Sequence, residues 1–229
     1  MPKGSPNGKI LRIGHRGACG HAPENTLASI KRAITLRCSL TEVDIRRTAD
    51  DELILVHDER IHPTINGRGL VSEITLEEIR KVDAGSGQMV PTLEEALRIS
   101  SGRIGLILEL KTEGLAYDVC AVVRAGGFTK PVIYASFVHE ELQHIRRIDP
   151  EAKTLVLFKR LPKDPGSAAV RLQATHVGLR IDTVTKALVT ALHKARLIVF
   201  AYTVNTPAEI KKMKTLGVDG LISDFPDRI

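Results

Sequence analysis

The chain has 229 residues, 43% of them hydrophobic and 26% charged, which is the balance of a globular protein and excludes a disordered or fibrous one. Only 3% are aromatic and none is tryptophan, so the core must be built from Ile, Leu, Val and Ala, and stacking platforms for single-stranded nucleic acid are scarce. The formal net charge of +6 is spread along the chain without a basic run, so no nucleic-acid partner is expected; a phosphate-bearing small molecule suits such a surface better.

Three cysteines, Cys19, Cys38 and Cys120, lack metal-ligand spacing and are odd in number, so reduced thiols and a cytoplasmic location are expected. The first nine residues, MPKGSPNGK, have no apolar signal core, and no run approaches the roughly 18 apolar residues of a membrane span. No stable membrane insertion is expected.

In chain order, Ile10–His15 is the first apolar strand-like run, and Leu27, Ile30 and Ile34 then share one helix face. Thr41–Arg46 is the second long run. A short one, Leu53–Val56, leads into His57-Asp58 and a polar stretch holding Gly67, Gly69, Gly85 and Gly87. That interval, to about Pro91, is too long for a βα loop and predicts an insertion over one barrel mouth, about residues 59–90. Ile104–Lys111 and Val132–Ser136 follow, separated by the helical face Val119, Val122, Val123. Leu142, Ile145 and Ile148 precede Lys153–Lys159 and His176–Arg180. Val184, Leu188 and Leu192 precede Leu197–Val204, and Ile210 and Met213 precede Asp219–Ser223.

Strand–helix alternation implies parallel strands joined by right-handed crossovers. Leaving Leu53–Val56 aside, the strands recur about every 29 residues, the rhythm of a (β/α)8 barrel. The predicted fold is therefore an α/β (β/α)8 TIM barrel with a small insertion after the second strand, one domain over residues 1–229. A doubly wound open sheet is the alternative, but GHRGACGH after the first strand lacks the dinucleotide-binding spacing.

Glu42 and Asp44 are two apart on a strand, so both point into the barrel while Val43 and Ile45 point out. Glu109 and Lys111 likewise share the face opposite Leu106, Leu108 and Leu110. A Glu–Lys pair alone is as readily structural. Beside Glu42 and Asp44 at the same mouth, however, Glu109 completes an oxygen-ligand set that suits Mg2+, Ca2+ or Mn2+ better than zinc. A lone histidine is more often structural than catalytic, and His21, His62, His139, His144, His176 and His193 take that default. His15 and His57 differ because both are placed at strand C-terminal ends, where barrel active sites lie. Two imidazoles flanking a metal can divide proton removal and donation. Arg16 supplies a fork for phosphate, and with Lys111 it favours an anionic transition state, as in phosphodiester cleavage; carbonyl chemistry leaves both cations unused.

His15-Arg16-Gly17-Ala18 followed by Pro23-Glu24-Asn25-Thr26 resembles the HRG…PENT signature of the glycerophosphodiester phosphodiesterases. Glu42-Val43-Asp44, Thr48-Ala49-Asp50, Val56-His57-Asp58, Pro91-Thr92-Leu93-Glu94-Glu95 and Glu109-Leu110-Lys111 are similar to further motifs of that family, in order. Thr203-Val204-Asn205 and the run Gly217–Pro226 extend the resemblance over nearly the whole chain. It implies His15 and His57 as acid/base pair, Glu42, Asp44 and Glu109 as ligands of a divalent cation, and Arg16 and Lys111 as phosphate-binding groups. The substrate it implies is a small glycerophosphodiester, cleaved to glycerol 3-phosphate and an alcohol. Asn25 or Thr26 is expected to cap the first helix. The chain departs from the family at Arg37–Thr41, His62–Ile65 and Tyr202. Two competing functions are a lysophospholipase D on the same barrel and a non-catalytic barrel that binds phosphate ligands; a polar insertion disfavours the first and an intact set of polar residues the second.

Overall fold

The computed structural model describes residues 10–61 and 69–229. His62, Gly67 and the segments 1–9 and 62–65, for which expectations are given above, lie outside the described residues.

Eight parallel strands close into a ring: β1 (Leu11–Gly14), β2 (Leu40–Arg47), β6 (Gly105–Leu110), β7 (Val132–Ser136), β8 (Lys153–Leu157), β9 (His176–Arg180), β10 (Ile198–Tyr202) and β11 (Gly220–Ser223), with β11 and β2 both paired to β1. Between β2 and β6 the chain forms β3 (Leu53–Leu55), β4 (Arg60–Ile61) and β5 (Gly69–Leu70), which lie outside the ring. The helices are α1 (Leu27–Thr35), α2 (Leu76–Ile79), α3 (Leu93–Ser100), α4 (Ala116–Ala125), α5 (His139–Ile148), α6 (Pro165–Arg171), α7 (Lys186–Lys194) and α8 (Pro207–Leu216).

The two-residue period of each strand sorts the apolar residues into two layers. Ile13, Leu40, Ile107, Ile133, Leu155, Phe200 and Ile222 fill the barrel interior. Val43, Ile45, Leu106, Leu108 and Leu110 face outward and bury against the helices on one side. Val177, Leu179, Val199, Ala201 and Leu221 do the same on the other. Phe200 is fully buried, and it fits because β11 begins with Gly220: a Cβ there would lie 2.7 Å from the Phe200 ring and 2.9 Å from Ile13.

Helix starts are fixed by side-chain caps. Thr26, Thr75, Thr92 and Thr206 each accept the N–H of the residue three further on, and Ser29, Glu78, Glu95 and Glu209 reach back to the cap backbone. Thr26, one of the two residues proposed for the first cap, is the cap. The apolar pattern does not mark α3 or α6; the Thr92 cap and the Asp164 cap with Pro165 in the first turn are their local signals.

β3, the short run left out of the barrel count, folds back antiparallel on β2, pairing Leu55 with Ile45 and Leu53 with Arg47, so His57 follows an antiparallel return and not a parallel barrel strand. β2 therefore overshoots the rim, turns at Thr48–Glu52, and the chain returns down to the mouth. The insertion that follows buries Ile54, Val71, Ile79 and Val90 in a satellite cluster of its own. It also packs on the loop after β1, since a Cβ at Gly85 would lie 3.0 Å from the Pro23 ring.

Candidate active site

Parallel register sets Asp44 of β2 beside Glu109 of β6, with Glu42 two residues back on the same inward face. Glu42 is 5% exposed and Asp44 1%. One carboxylate oxygen from each of Glu42, Asp44 and Glu109 lies within 4.8 Å of the others. Burial, then the neighbouring Asp44 charge, pushes Glu42 up to about 8 and raises Glu109. Burial also acts to raise Asp44, but the Lys111 ammonium, the Asn25 amide and Arg16 outweigh it and hold Asp44 below its ordinary value. Glu42 Oε1 is buried and has no hydrogen-bond partner. A buried unpartnered carboxylate oxygen facing two further carboxylates fits a hard divalent cation, and an all-oxygen donor set fits Mg2+, Ca2+ or Mn2+.

His15 follows β1 directly, its N–H bonded to the Ser223 carbonyl of β11 at 2.9 Å. The next turn is tight: Arg16 and Gly17 have φ of 48° and 92°. A Cβ at Gly17 would lie 2.1 Å from Ser29 Oγ, so only glycine lets the turn reach α1. The His15 ring is clamped on one side only. Nδ1 sits 2.6 Å from Asp224 Oδ1, and Nε2 faces the acidic cluster, 4.0 Å from Glu42 Oε2. Burial opposes protonation of His15, but the Asp224 hydrogen bond and the Glu42 charge outweigh it and raise the ring above the ordinary value. Asp224 is itself fixed. Its Oδ2 accepts from Asn205 Nδ2 at 2.6 Å and its N–H donates to Asn205 Oδ1 at 2.9 Å. Burial acts to raise the Asp224 carboxyl, but hydrogen bonds from His15, the Cys19 thiol and the Asn205 amide outweigh it and depress it strongly.

His57 arrives by the returning arm. Its carbonyl accepts from Arg46 Nε at 3.0 Å, so the overshooting end of β2 holds it. Nδ1 lies 2.8 Å from Asp58 Oδ1. The Val56 N–H donates to the Asp44 carbonyl at 3.0 Å, which brings the arm that carries His57 alongside the acidic cluster.

The two cations are not free. Lys111 Nζ is 2.6 Å from Glu109 Oε1 and 3.2 Å from Asp44 Oδ1. Arg16 binds Glu24 at 2.8 Å and lies 3.4 Å from Asp44, while its backbone N–H donates to Glu42 Oε2 at 2.8 Å. All seven predicted residues thus meet at one end of the barrel. Asn25, which the sequence offered only as a helix cap, instead donates to Asp44 Oδ2 at 2.9 Å and accepts the Asp44 N–H at 3.0 Å; Asp224 and Asn205 had no role in the sequence reading. Asn25 has φ 55°, a conformation asparagine tolerates. A pocket beside the cluster is lined by His15, Glu42 and Glu109 on its polar side and by Phe137, Leu155, Leu157 and Tyr202 on its apolar side. The other described histidines have structural partners: His21 pairs with Asp227, His193 with Asp219, His139 with the Leu157 carbonyl, His144 with Glu141, and His176 with Thr175.

Residues 15–228 match the Glycerophosphoryl diester phosphodiesterase family. The glycerophosphodiester phosphodiesterase of Caldanaerobacter subterraneus subsp. tengcongensis is 32% identical over 234 residues, with 96% of each chain covered. A crystal structure of a glycerophosphodiester phosphodiesterase from Agrobacterium tumefaciens superposes with a TM-score of 0.84 at 30% identity, covering 96% of this chain and 98% of that one. An Oleispira antarctica phosphodiesterase, solved with its product sn-glycerol-3-phosphate, gives 0.86 at 28% identity, covering 95% and 94%. The chain belongs to the glycerophosphoryl diester phosphodiesterase family of phosphoric diester hydrolases.

Proposed function

We propose that this barrel, acting as one domain, hydrolyses soluble glycerophosphodiesters to glycerol 3-phosphate and an alcohol with the help of a divalent cation. The observation that carries this reading is the buried trio Glu42, Asp44 and Glu109 with the Nε2 of His15 turned toward it. Family membership and the sn-glycerol-3-phosphate bound by the Oleispira antarctica relative support the substrate.

In this reading Glu42, Asp44 and Glu109 hold the cation, which when bound neutralises charge on the phosphoryl oxygens. Arg16 and Lys111 contribute their N–H donors to the phosphate, exchanging part of their present pairing with Glu24, Asp44 and Glu109 for it. His15 moves a proton through Nε2, because Nδ1–H is committed to Asp224. His57, with Nδ1 on Asp58, has Nε2 left for proton transfer and completes the acid/base pair.

One observation favours a lysolipid instead: the apolar wall of Phe137, Leu155, Leu157 and Tyr202. Incubation with glycerophosphocholine and with lysophosphatidylcholine, followed by product identification, separates the two. Glycerol 3-phosphate and choline formed readily from the first is the expected outcome. Rapid choline release from the lysolipid, with glycerophosphocholine barely touched, would replace the soluble-diester reading with a lysophospholipase D.

A further inference from the structure

A second donor cluster shares His15 with the acidic site but has different chemistry. The thiol of Cys19, one turn beyond His15, donates to Asp224 Oδ1 at 3.0 Å, the same oxygen that His15 Nδ1 reaches at 2.6 Å. A ring nitrogen of His15, the Cys19 sulfur and a carboxylate oxygen of Asp224 all lie within 4.8 Å of one another. Cys19 is half-buried, whereas Cys38 and Cys120 are buried elsewhere. Asp224 is in turn anchored by Asn205 at 2.6 Å, so the carboxylate is held in place whatever its other partners do.

One nitrogen, one sulfur and one oxygen converging on a point form a donor set that zinc takes and that magnesium, calcium and manganese do not. We propose that His15, Cys19 and Asp224 form a second, inhibitory site for a thiophilic divalent cation such as Zn2+. Binding replaces two hydrogen bonds to Asp224 by three metal bonds. The Cys19 thiol proton leaves to solvent, and the His15 proton moves from Nδ1 to Nε2, so that the cation takes the Nδ1 lone pair of a neutral ring. That tautomer is the opposite of the one Asp224 enforces in the free protein. Nε2, which faces Glu42, then carries a proton and cannot accept one. Occupancy at this cluster therefore blocks His15 without touching Glu42, Asp44 or Glu109. The inhibitory consequence rests on the acid/base role proposed for His15; the binding itself does not.

Cobalt serves as the spectroscopic probe. With Mg2+ in large excess, Co2+ added to the wild-type protein should raise a thiolate-to-cobalt charge-transfer band that saturates at one equivalent, and Cys19→Ser should abolish it. Co2+ on carboxylates alone gives no such band, so failure of the acidic site leaves this readout intact. Zn2+ titrated into the Mg2+-supported reaction should inhibit wild-type turnover, and Cys19→Ser should need at least about tenfold more Zn2+ for the same effect. In the unsubstituted protein, Zn2+ should also slow alkylation of Cys19 by iodoacetamide, followed residue by residue; that measurement stands even if the variant fails to fold. The site is overturned if the wild type shows no band, if Cys19→Ser keeps it, or if Zn2+ leaves Cys19 alkylation unchanged. A band that appears with equal Zn2+ inhibition of both proteins would retain the site and overturn its inhibitory role.

Discussion

At the residue scale, side chains of one type are expected to do different work. Replacing His15 or His57 by Ala should lower turnover by about 10²–10⁴-fold with the fold unchanged by circular dichroism, since each is a mouth residue outside the packed layers. His139→Ala, whose ring serves only the Leu157 carbonyl and the Phe158 edge, should keep near-native activity. Equal losses in His15→Ala and His139→Ala would sink the assignment. Asp224→Asn tests positioning: the side chain still fits beside Nδ1 and Asn205, but the carboxylate that fixes the His15 tautomer is gone. A fall of about 10–100-fold in kcat with KM little changed is expected. A change confined to KM would show instead that Asp224 shapes the substrate site. The carboxylate trio was legible because strand alternation alone puts Glu42 and Asp44 on one face. The role of Asp224 was not, because its contact with His15 joins residues 209 apart and the motif run that holds it says nothing of its partner. Asn25 hid for the opposite reason: beside Thr26 it reads as a helix cap, yet its amide belongs to Asp44.

At the element scale, all eight barrel strands and their order follow from apolar runs flanked by helical patterns, with ends that differ by at most two residues. β2 shows where such reading stops. Its last residues leave the ring, and Arg46 and Arg47 serve the returning arm and α4: Arg46 holds the His57 carbonyl, and Arg47 pairs with Asp118. An antiparallel return looks the same in sequence as a short parallel strand, since both are apolar runs of three or four residues. His57 is thus at the mouth for a different structural reason from His15. Helix ends depend on caps, and Thr92 carries particular weight because it starts the first barrel helix after the insertion and also bridges to Ile54 of β3. Thr92→Ala should cost about 1 kcal/mol. In thermal unfolding that corresponds to a fall in Tm of about 2–4 °C for a chain of this size. No measurable change in Tm would mean that the capping box contributes nothing to this junction.

At the scale of the whole molecule, closure of the ring brings β1 and β11 together, and the site needs both: His15 comes from one end of the chain and its Asp224 partner from the other. The closed core also buries His176 against the Phe200 ring, 5.1 Å between centroids, and burial followed by the Lys153 charge pushes its pKa down to about 4. Because the folded value lies below the ordinary 6.5, the unfolded chain takes up this proton first. Stability is therefore unaffected above that value and declines as pH falls from about 6.5 toward 4, by about 3 kcal/mol once the lower value is passed. Denaturant unfolding of wild type and His176→Gln at pH 7 and pH 4.5 checks it: the wild type should lose about 2–3 kcal/mol more than the variant. Parallel losses would place the acid sensitivity elsewhere. Among the described residues no helix is long and apolar enough to cross a membrane. The claim on which all else depends is that Glu42, Asp44 and Glu109 hold a divalent cation that glycerophosphodiester hydrolysis requires. Turnover of glycerophosphocholine by protein stripped with a chelator tests it most directly. The stripped enzyme should be inactive, Mg2+, Mn2+ or Ca2+ should restore it, and Glu42→Gln should need far more of the same cation; full activity after complete removal of metal would contradict the account.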